Sequence, residues 1–237
     1  MSSGYPGVYI EKGSCMNQQF IDGSWYEEEY REKWYRHQYI ETPYLKWAQE
    51  SDLYGVRFMA MCSGIPIDAK ILDLGSGVGH IMKTWRRAGF ENVTGVEISK
   101  TAWEASNEPN MINGTVRDLS MFEDKEFDLV SSFALLEHID ESIIPEVFSE
   151  MCRVGIKQTH FIAHEAGTDP SHINIKTSTE WINLFDKYSG EPSFVIPNPL
   201  MNVNPLYLVC PIDMIIEPIK NKINDMRKAK DENKHYQ

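Results

Sequence analysis

Asp73 stands two positions ahead of the first of three closely spaced glycines in Lys70-Ile71-Leu72-Asp73-Leu74-Gly75-Ser76-Gly77-Val78-Gly79-His80. The block reads as a short buried strand, an acid near its end, and a glycine-rich turn into a helix. Glycines permit a tight turn and let the backbone approach a ligand closely. A pyrophosphate would be repelled by a carboxylate at this point, whereas an ammonium and a sulfonium would be attracted. The dinucleotide fingerprint also needs glycine at position 80 if it starts at Gly75. This chain has His80 there and its third glycine at Gly79. The second acid, Glu97, ends the β-rich run Asn92-Val93-Thr94-Gly95-Val96-Glu97-Ile98. It falls about twenty residues after the glycine turn, where an α/β nucleotide site places the acid that holds ribose hydroxyls. A carboxylate can accept from both hydroxyls at once. Ser99 then suits the N-cap of a following helix.

A second group of candidates lies further along. After the apolar run Thr159-His160-Phe161-Ile162-Ala163-His164-Glu165 comes Asp169-Pro170-Ser171-His172-Ile173, and then Trp181. Histidine titrates near neutrality, so His172 could take a proton from an acceptor hydroxyl or amine, with Asp169 orienting it. The same two residues could instead cap the turn and pin the loop. His138 is a second candidate base, and it too could be structural; His164 and Glu165 stand behind both. The histidines show no H-E-x-x-H spacing, so no catalytic metal is expected.

The pattern D-x-G-x-G-x-G from Asp73 to Gly79 resembles the first motif of the class I S-adenosylmethionine-dependent methyltransferases. Phe127-Asp128-Leu129-Val130 followed by Leu136-Glu137-His138 resembles the F-D-x-V…L-E-H block of the same family. The likeness covers residues 70–140, is looser beyond them, and is weakest at the N-terminus. It implies an α/β fold: a Rossmann-like three-layer sandwich with a mostly parallel seven-stranded sheet, helices on both faces and an N-terminal helical cap. It implies S-adenosyl-L-methionine as cofactor and S-adenosyl-L-homocysteine as product. Asp73, Gly75, Ser76, Gly77 and Gly79 would hold the methionine end, with Ser132 and Phe133 beside it. Glu97 and Ile98 would meet the ribose. Asp118, with Leu119, would meet the adenine amine. The family more often has an acid directly after the glycine, where this chain has Thr115, so Val116 and Arg117 remain alternatives to Asp118. The D-P-S-H-I…W block is similar to one in small methyltransferases of polysaccharide and specialised-metabolite pathways. That likeness implies a small-molecule acceptor, a sugar or metabolite, methylated on oxygen or nitrogen. Two other classes stay open: a different chemistry on the same cofactor, and a cofactor-binding subunit without turnover.

These residues need a scaffold. A chain of 237 residues suits one α/β domain with additional helices. The expected division is an aromatic-rich cap over 1–60, a cofactor-binding domain over 61–215, and a C-terminal helix with a charged tail over 216–237. Tyr26, Tyr30 and Trp34 recur at helical spacing and share a face. That face either packs on the sheet or closes as a lid. A net charge of −12 disfavours binding to nucleic acid or anionic lipid. Cys15, Cys62, Cys152 and Cys210 show no paired spacing and read as free thiols. No secretion signal or membrane-spanning run is evident, so a cytoplasmic location is expected. The oligomeric state has no signature.

Overall fold

The computed structural model describes residues 16–33, 35–41, 46–162, 169, 171–197 and 206–210. Trp34, Tyr44, His164, Glu165 and the expected C-terminal helix lie outside them, as does the N-terminal segment before residue 16.

The chain opens with α1 (Met16–Ile21) and α2 (Ser24–Glu32), joined by Asp22-Gly23. Gly23 has φ +80°, and a Cβ there would lie 2.5 Å from the Ile98 side chain. This junction therefore sits directly on the residue after Glu97. A π-helical turn, Arg36–Glu41, precedes α3 (Lys46–Ser63). Then come β1 (Ile71–Leu74), α4 (His80–Arg87), β2 (Val93–Glu97), α5 (Lys100–Ser106), β3 (Met111–Asn113) and β4 (Phe127–Phe133). The chain continues through α6 (Ile144–Val154), β5 (Gly155–Ile162), α7 (Ser178–Ser189), β6 (Phe194–Pro197) and β7 (Leu206–Cys210).

Five strands, β3-β2-β1-β4-β5, form a parallel sheet. β7 joins antiparallel to β5, and β6 pairs antiparallel with β7 at the edge. All four residues of β1 are buried, as a central strand covered on both faces requires. Leu72, Leu74 and Val130 point into the cluster with Phe148, Met151, Trp181 and Phe185 from α6 and α7. Ile71 and Leu129 point to the opposite cluster, with Val56, Met59, Met82 and Trp85 from α3 and α4. The strand order reverses between β1 and β4. A crevice at the carboxyl ends of these two strands is therefore built into the topology.

Local chemistry explains the elements that aim residues at this crevice. Ser99 caps α5, its hydroxyl accepting from the Ala102 N–H. Thr177 and Glu180 form a reciprocal capping box that starts α7. β3 is short and ends at Asn113; the Gly114 N–H still donates to the Glu97 carbonyl, and the chain turns after it. β5 begins at Gly155, directly after α6, where a Cβ would meet Val130 at 2.5 Å. Cys62 and Cys152 are free thiols. Among the described residues no helix is long and apolar enough to cross a membrane.

Candidate active site

Asp73 is 1% exposed, and neither carboxylate oxygen has a hydrogen-bond partner among the described residues. Burial pushes its pKa up to about 7; the Glu97 charge adds to this and the Ser76 hydroxyl opposes it. An unpaired buried carboxylate is costly, and a bound cation would offset that cost. The turn beside it is held by backbone bonds: Gly75 N–H and Ser76 N–H both donate to the Val96 carbonyl, at 2.9 and 3.1 Å. Ser76 Oγ donates to the Asp73 carbonyl at 2.8 Å. Gly75 and Gly77 have φ +69° and +54°, the left-handed region where a side chain is strained. A Cβ on Gly75 would also come within 2.8 Å of Leu135, and one on Gly77 within 2.9 Å of the Tyr30 hydroxyl. Gly79 occupies the N-cap of α4.

Glu97 is braced from two sides. Its Oε2 accepts from Gly77 N–H and its Oε1 from Ser99 N–H, each at 2.8 Å. Burial raises its pKa, and these backbone donors work against the rise. Each oxygen keeps a further lone pair for a ligand hydroxyl.

Two clefts meet at the glycine turn. The first is lined by Phe20, Tyr26 and Tyr30 from the N-terminal helices, by Glu97 and Ile98 at the end of β2, and by Val116 and Leu135. The second is lined by Tyr35, Tyr39, Ser76, Phe133, Asp169 and His172. Tyr30, Gly75, Ala134 and His138 border both. Ala134 has φ +54°, a strained conformation for alanine, at the point where β4 turns into the crevice.

Gly75, Ser76, Gly77, Glu97, Ile98, Phe133, His138 and His172 line these clefts, while Asp73 lies buried in β1 directly before the glycine turn and Gly79 at the start of α4. Three expected residues sit elsewhere. Asp118 is exposed and lines an outer hollow with Asn113 and Arg117; its carboxylate accepts from Ser120 N–H at 3.0 Å. That bond and the Ser120 hydroxyl lower its pKa. Thr115 borders both this hollow and the first cleft, and Val116 faces the first cleft. Leu119 is fully buried in the core, with its N–H donated to Glu150. Ser132 is fully buried and its hydroxyl pairs with His160 Nδ1 at 2.9 Å.

The expected Asp169–His172 pair takes a different form. Asp169 Oδ1 accepts from the Ser171 N–H and hydroxyl, and Oδ2 from the Tyr35 hydroxyl. His172 receives from Asp169 a backbone contact, its N–H donating to the Asp169 carbonyl at 3.2 Å. The side chain that meets Ser171 is His138, whose Nδ1 lies 2.8 Å from Ser171 Oγ. Burial pushes the His138 pKa down to about 4, with Asp169 opposing and His172 contributing. The His138 and His172 rings lie 4.8 Å apart, edge to face. One ligand atom from each of Glu137, His138 and His172 falls within 4.8 Å of the others, a grouping that the sequence spacing did not suggest. With His138 Nδ1 taken by Ser171, a cation there could use only Nε2.

Glu27 was missed by sequence reasoning. From α2 its carboxylate accepts from the Ser99 hydroxyl at 2.7 Å, the Thr101 hydroxyl at 2.6 Å and the Thr101 N–H at 3.1 Å. It thus ties the N-terminal helices to the start of α5, next to Glu97. Tyr26, beside it, donates to the His138 carbonyl at 3.1 Å. No sequence motif marks these contacts, which join residues far apart in the chain.

Residues 72–163 match the family model described as a methyltransferase domain. No curated protein sequence matches the chain significantly. Among solved structures, the fold is similar to the PH0226 protein from Pyrococcus horikoshii, at 22% identity and TM-score 0.58 over 77% of this chain and 96% of that one. It is similar to a SAM-dependent methyltransferase from Archaeoglobus fulgidus, at 16% identity and TM-score 0.52 over 77% and 82%. It is also similar to a protein from an antibiotic biosynthesis pathway of Anabaena variabilis, at 20% identity and TM-score 0.53. That match covers 62% of this chain and 65% of the other, so this chain spans just under two thirds of that relative's length.

Proposed function

We propose that this chain, which carries a class I methyltransferase domain with S-adenosylmethionine as its cofactor, moves a methyl group to an oxygen or nitrogen of a small-molecule acceptor. Asp73 carries the reading: a buried carboxylate without a hydrogen-bond partner, at the crevice where the strand order reverses, calls for a cationic ligand. When bound, the cofactor supplies a methyl group already activated by the positive charge on sulfur. The protein's part is then alignment. Asp73 would pair with the ammonium of the methionine portion, beside the turn whose positive φ angles Gly75 and Gly77 permit. Glu97, held by its two backbone donors, would accept from the ribose hydroxyls. Thr115 and Val116 would border the base, with Asp118 further out. The helices α1 and α2 would close over the cofactor held by the sheet domain.

The acceptor would occupy the second cleft, where Tyr35, Tyr39, Phe133 and His172 supply aromatic walls and Asp169 a polar contact. The net charge of −12 argues against a nucleic-acid acceptor. Incubating the protein with S-adenosylmethionine and panels of hydroxyl and amine acceptors, while following S-adenosylhomocysteine by mass spectrometry, tests this. The expected result is stoichiometric release with one acceptor class. A different product from the cofactor would favour another chemistry, and tight binding without any release would favour a non-catalytic subunit.

A further inference from the structure

Resting on the methyl-transfer reading, we infer that His138 is the general base for a hydroxyl acceptor, held in its working tautomer by a relay through Ser171 to Asp169 and Tyr35. A proton count fixes the tautomer. Asp169 Oδ1 takes the Ser171 hydroxyl proton at 2.6 Å, with the Ser171 N–H also donating at 2.9 Å. Tyr35 donates to the other oxygen at 3.2 Å. Ser171 is fully buried, and its hydroxyl oxygen and backbone carbonyl lie 2.8 and 3.1 Å from His138 Nδ1. The carbonyl can only accept, and the hydroxyl proton is committed to the carboxylate. Nδ1 must therefore carry a hydrogen and donate to both. A neutral ring protonated on Nδ1 has its lone pair on Nε2. His138 borders both clefts, which places its ring where cofactor and acceptor would meet.

The backbone fixes the ring from the other side. His138 closes a 3₁₀ turn, Leu136–His138, and its carbonyl accepts from Tyr26 of the lid. The residues facing the ring are Tyr26 from α2, Glu137 on its own turn, and Asp169, Ser171 and His172 from the loop before α7. In the step itself, Nε2 takes the acceptor's hydroxyl proton as the oxygen bonds to the methyl carbon. The carbon–sulfur bond breaks and its electron pair stays on sulfur. The products are a methyl ether, neutral S-adenosylhomocysteine and a histidinium, which Asp169 stabilises through Ser171. A neutral amine needs no base before attack, so this relay points to oxygen as the acceptor atom. Ser171, Asp169 and Tyr35 are positioning residues.

The test is ¹⁵N NMR of histidine-labelled full-length protein with S-adenosylhomocysteine, alongside turnover with the acceptors that released product. His138 should show a protonated Nδ1 and a lone-pair Nε2, and Ser171→Ala should mix in the other tautomer. Asp169→Asn should lower kcat about 10- to 100-fold, leave KM for the cofactor within about twofold, and move the acid limb of the pH–rate profile to lower pH. His138→Gln should lower kcat at least 100-fold, whereas His172→Asn should change mainly the acceptor KM. A proton on His138 Nε2 in the native protein would overturn the assignment. So would a rate abolished by chelation and restored by a divalent cation, or turnover confined to amine acceptors. If no acceptor turns over, the tautomer decides alone. Calorimetry with S-adenosylmethionine on the same samples separates failure of the cofactor reading from failure of the relay.

Discussion

The glycine-turn side of the crevice, which we assign to the cofactor, and the cleft we assign to the acceptor are built by different means. On the cofactor side, Asp73, Gly75, Gly77 and Glu97 come from two neighbouring strand ends. Backbone groups hold them: Gly77 N–H reaches Glu97 across 20 positions, and Gly75 and Ser76 bond to Val96. On the other side, side chains reach across long separations. The Tyr35 hydroxyl meets the Ser171 hydroxyl across 136 positions, and the Tyr26 hydroxyl donates to the His138 carbonyl across 112. The first arrangement follows wherever a parallel sheet places a glycine turn after β1. The second depends on every long-range contact forming together, and it can vary without disturbing the first.

Four experiments press on this contrast, from the largest effect to the smallest. Asp73→Asn should weaken S-adenosylmethionine binding by about 10²- to 10³-fold, the scale of breaking a buried ion pair. It should not destabilise the ligand-free protein, because the native carboxylate there has no hydrogen-bond partner. The sign with pH follows. A carboxyl raised from its ordinary value to about 7 keeps its proton in the folded state after the unfolded chain has released it. Stability of the ligand-free native protein should therefore fall as pH rises from about 4 to about 7, and Asp73→Asn should remove that slope. Calorimetric unfolding across this range checks it.

Gly75→Ala should cost about 1–2 kcal/mol for a side chain at φ +69°. With a Cβ 2.8 Å from Leu135, it should also weaken cofactor binding about tenfold, measured by denaturant melts and titration. Glu27→Ala removes three bonds between α2 and α5 and should cost about 1–2 kcal/mol. Limited proteolysis should then cut the N-terminal helices faster while the sheet stays protected. Asp118→Ala should change cofactor affinity less than about twofold, because its carboxylate is exposed and bonded to Ser120. A tenfold loss would restore the adenine role expected from the sequence.

What was legible in the sequence tracks the same division. Asp73, the glycines, Glu97 and the Ser99 cap were readable because each acts through its own strand end or turn. Asp118 lies just past the short β3, on an outer hollow that shares Ile98 and Thr115 with the first cleft, while Leu119 beside it enters the core. His172 was favoured over His138 because it stands beside Asp169 in the chain. The geometry gives the Asp169 carboxylate to Ser171 instead, and Ser171 to His138. No spacing rule encodes that choice, because it is set by Tyr35 and by the turn after β4.

The most direct test of the central claim is calorimetric titration of S-adenosylmethionine into the native protein and Asp73→Asn between about pH 5 and 7.5. A carboxyl poised at about 7 must lose its proton to pair with the cofactor's positive charge. Native affinity should rise by up to about tenfold per pH unit through the acid range and level off above pH 7. Asp73→Asn should bind weakly and without that slope. Equal affinity in the two proteins at every pH would contradict the assignment of Asp73 as the cofactor's charge partner.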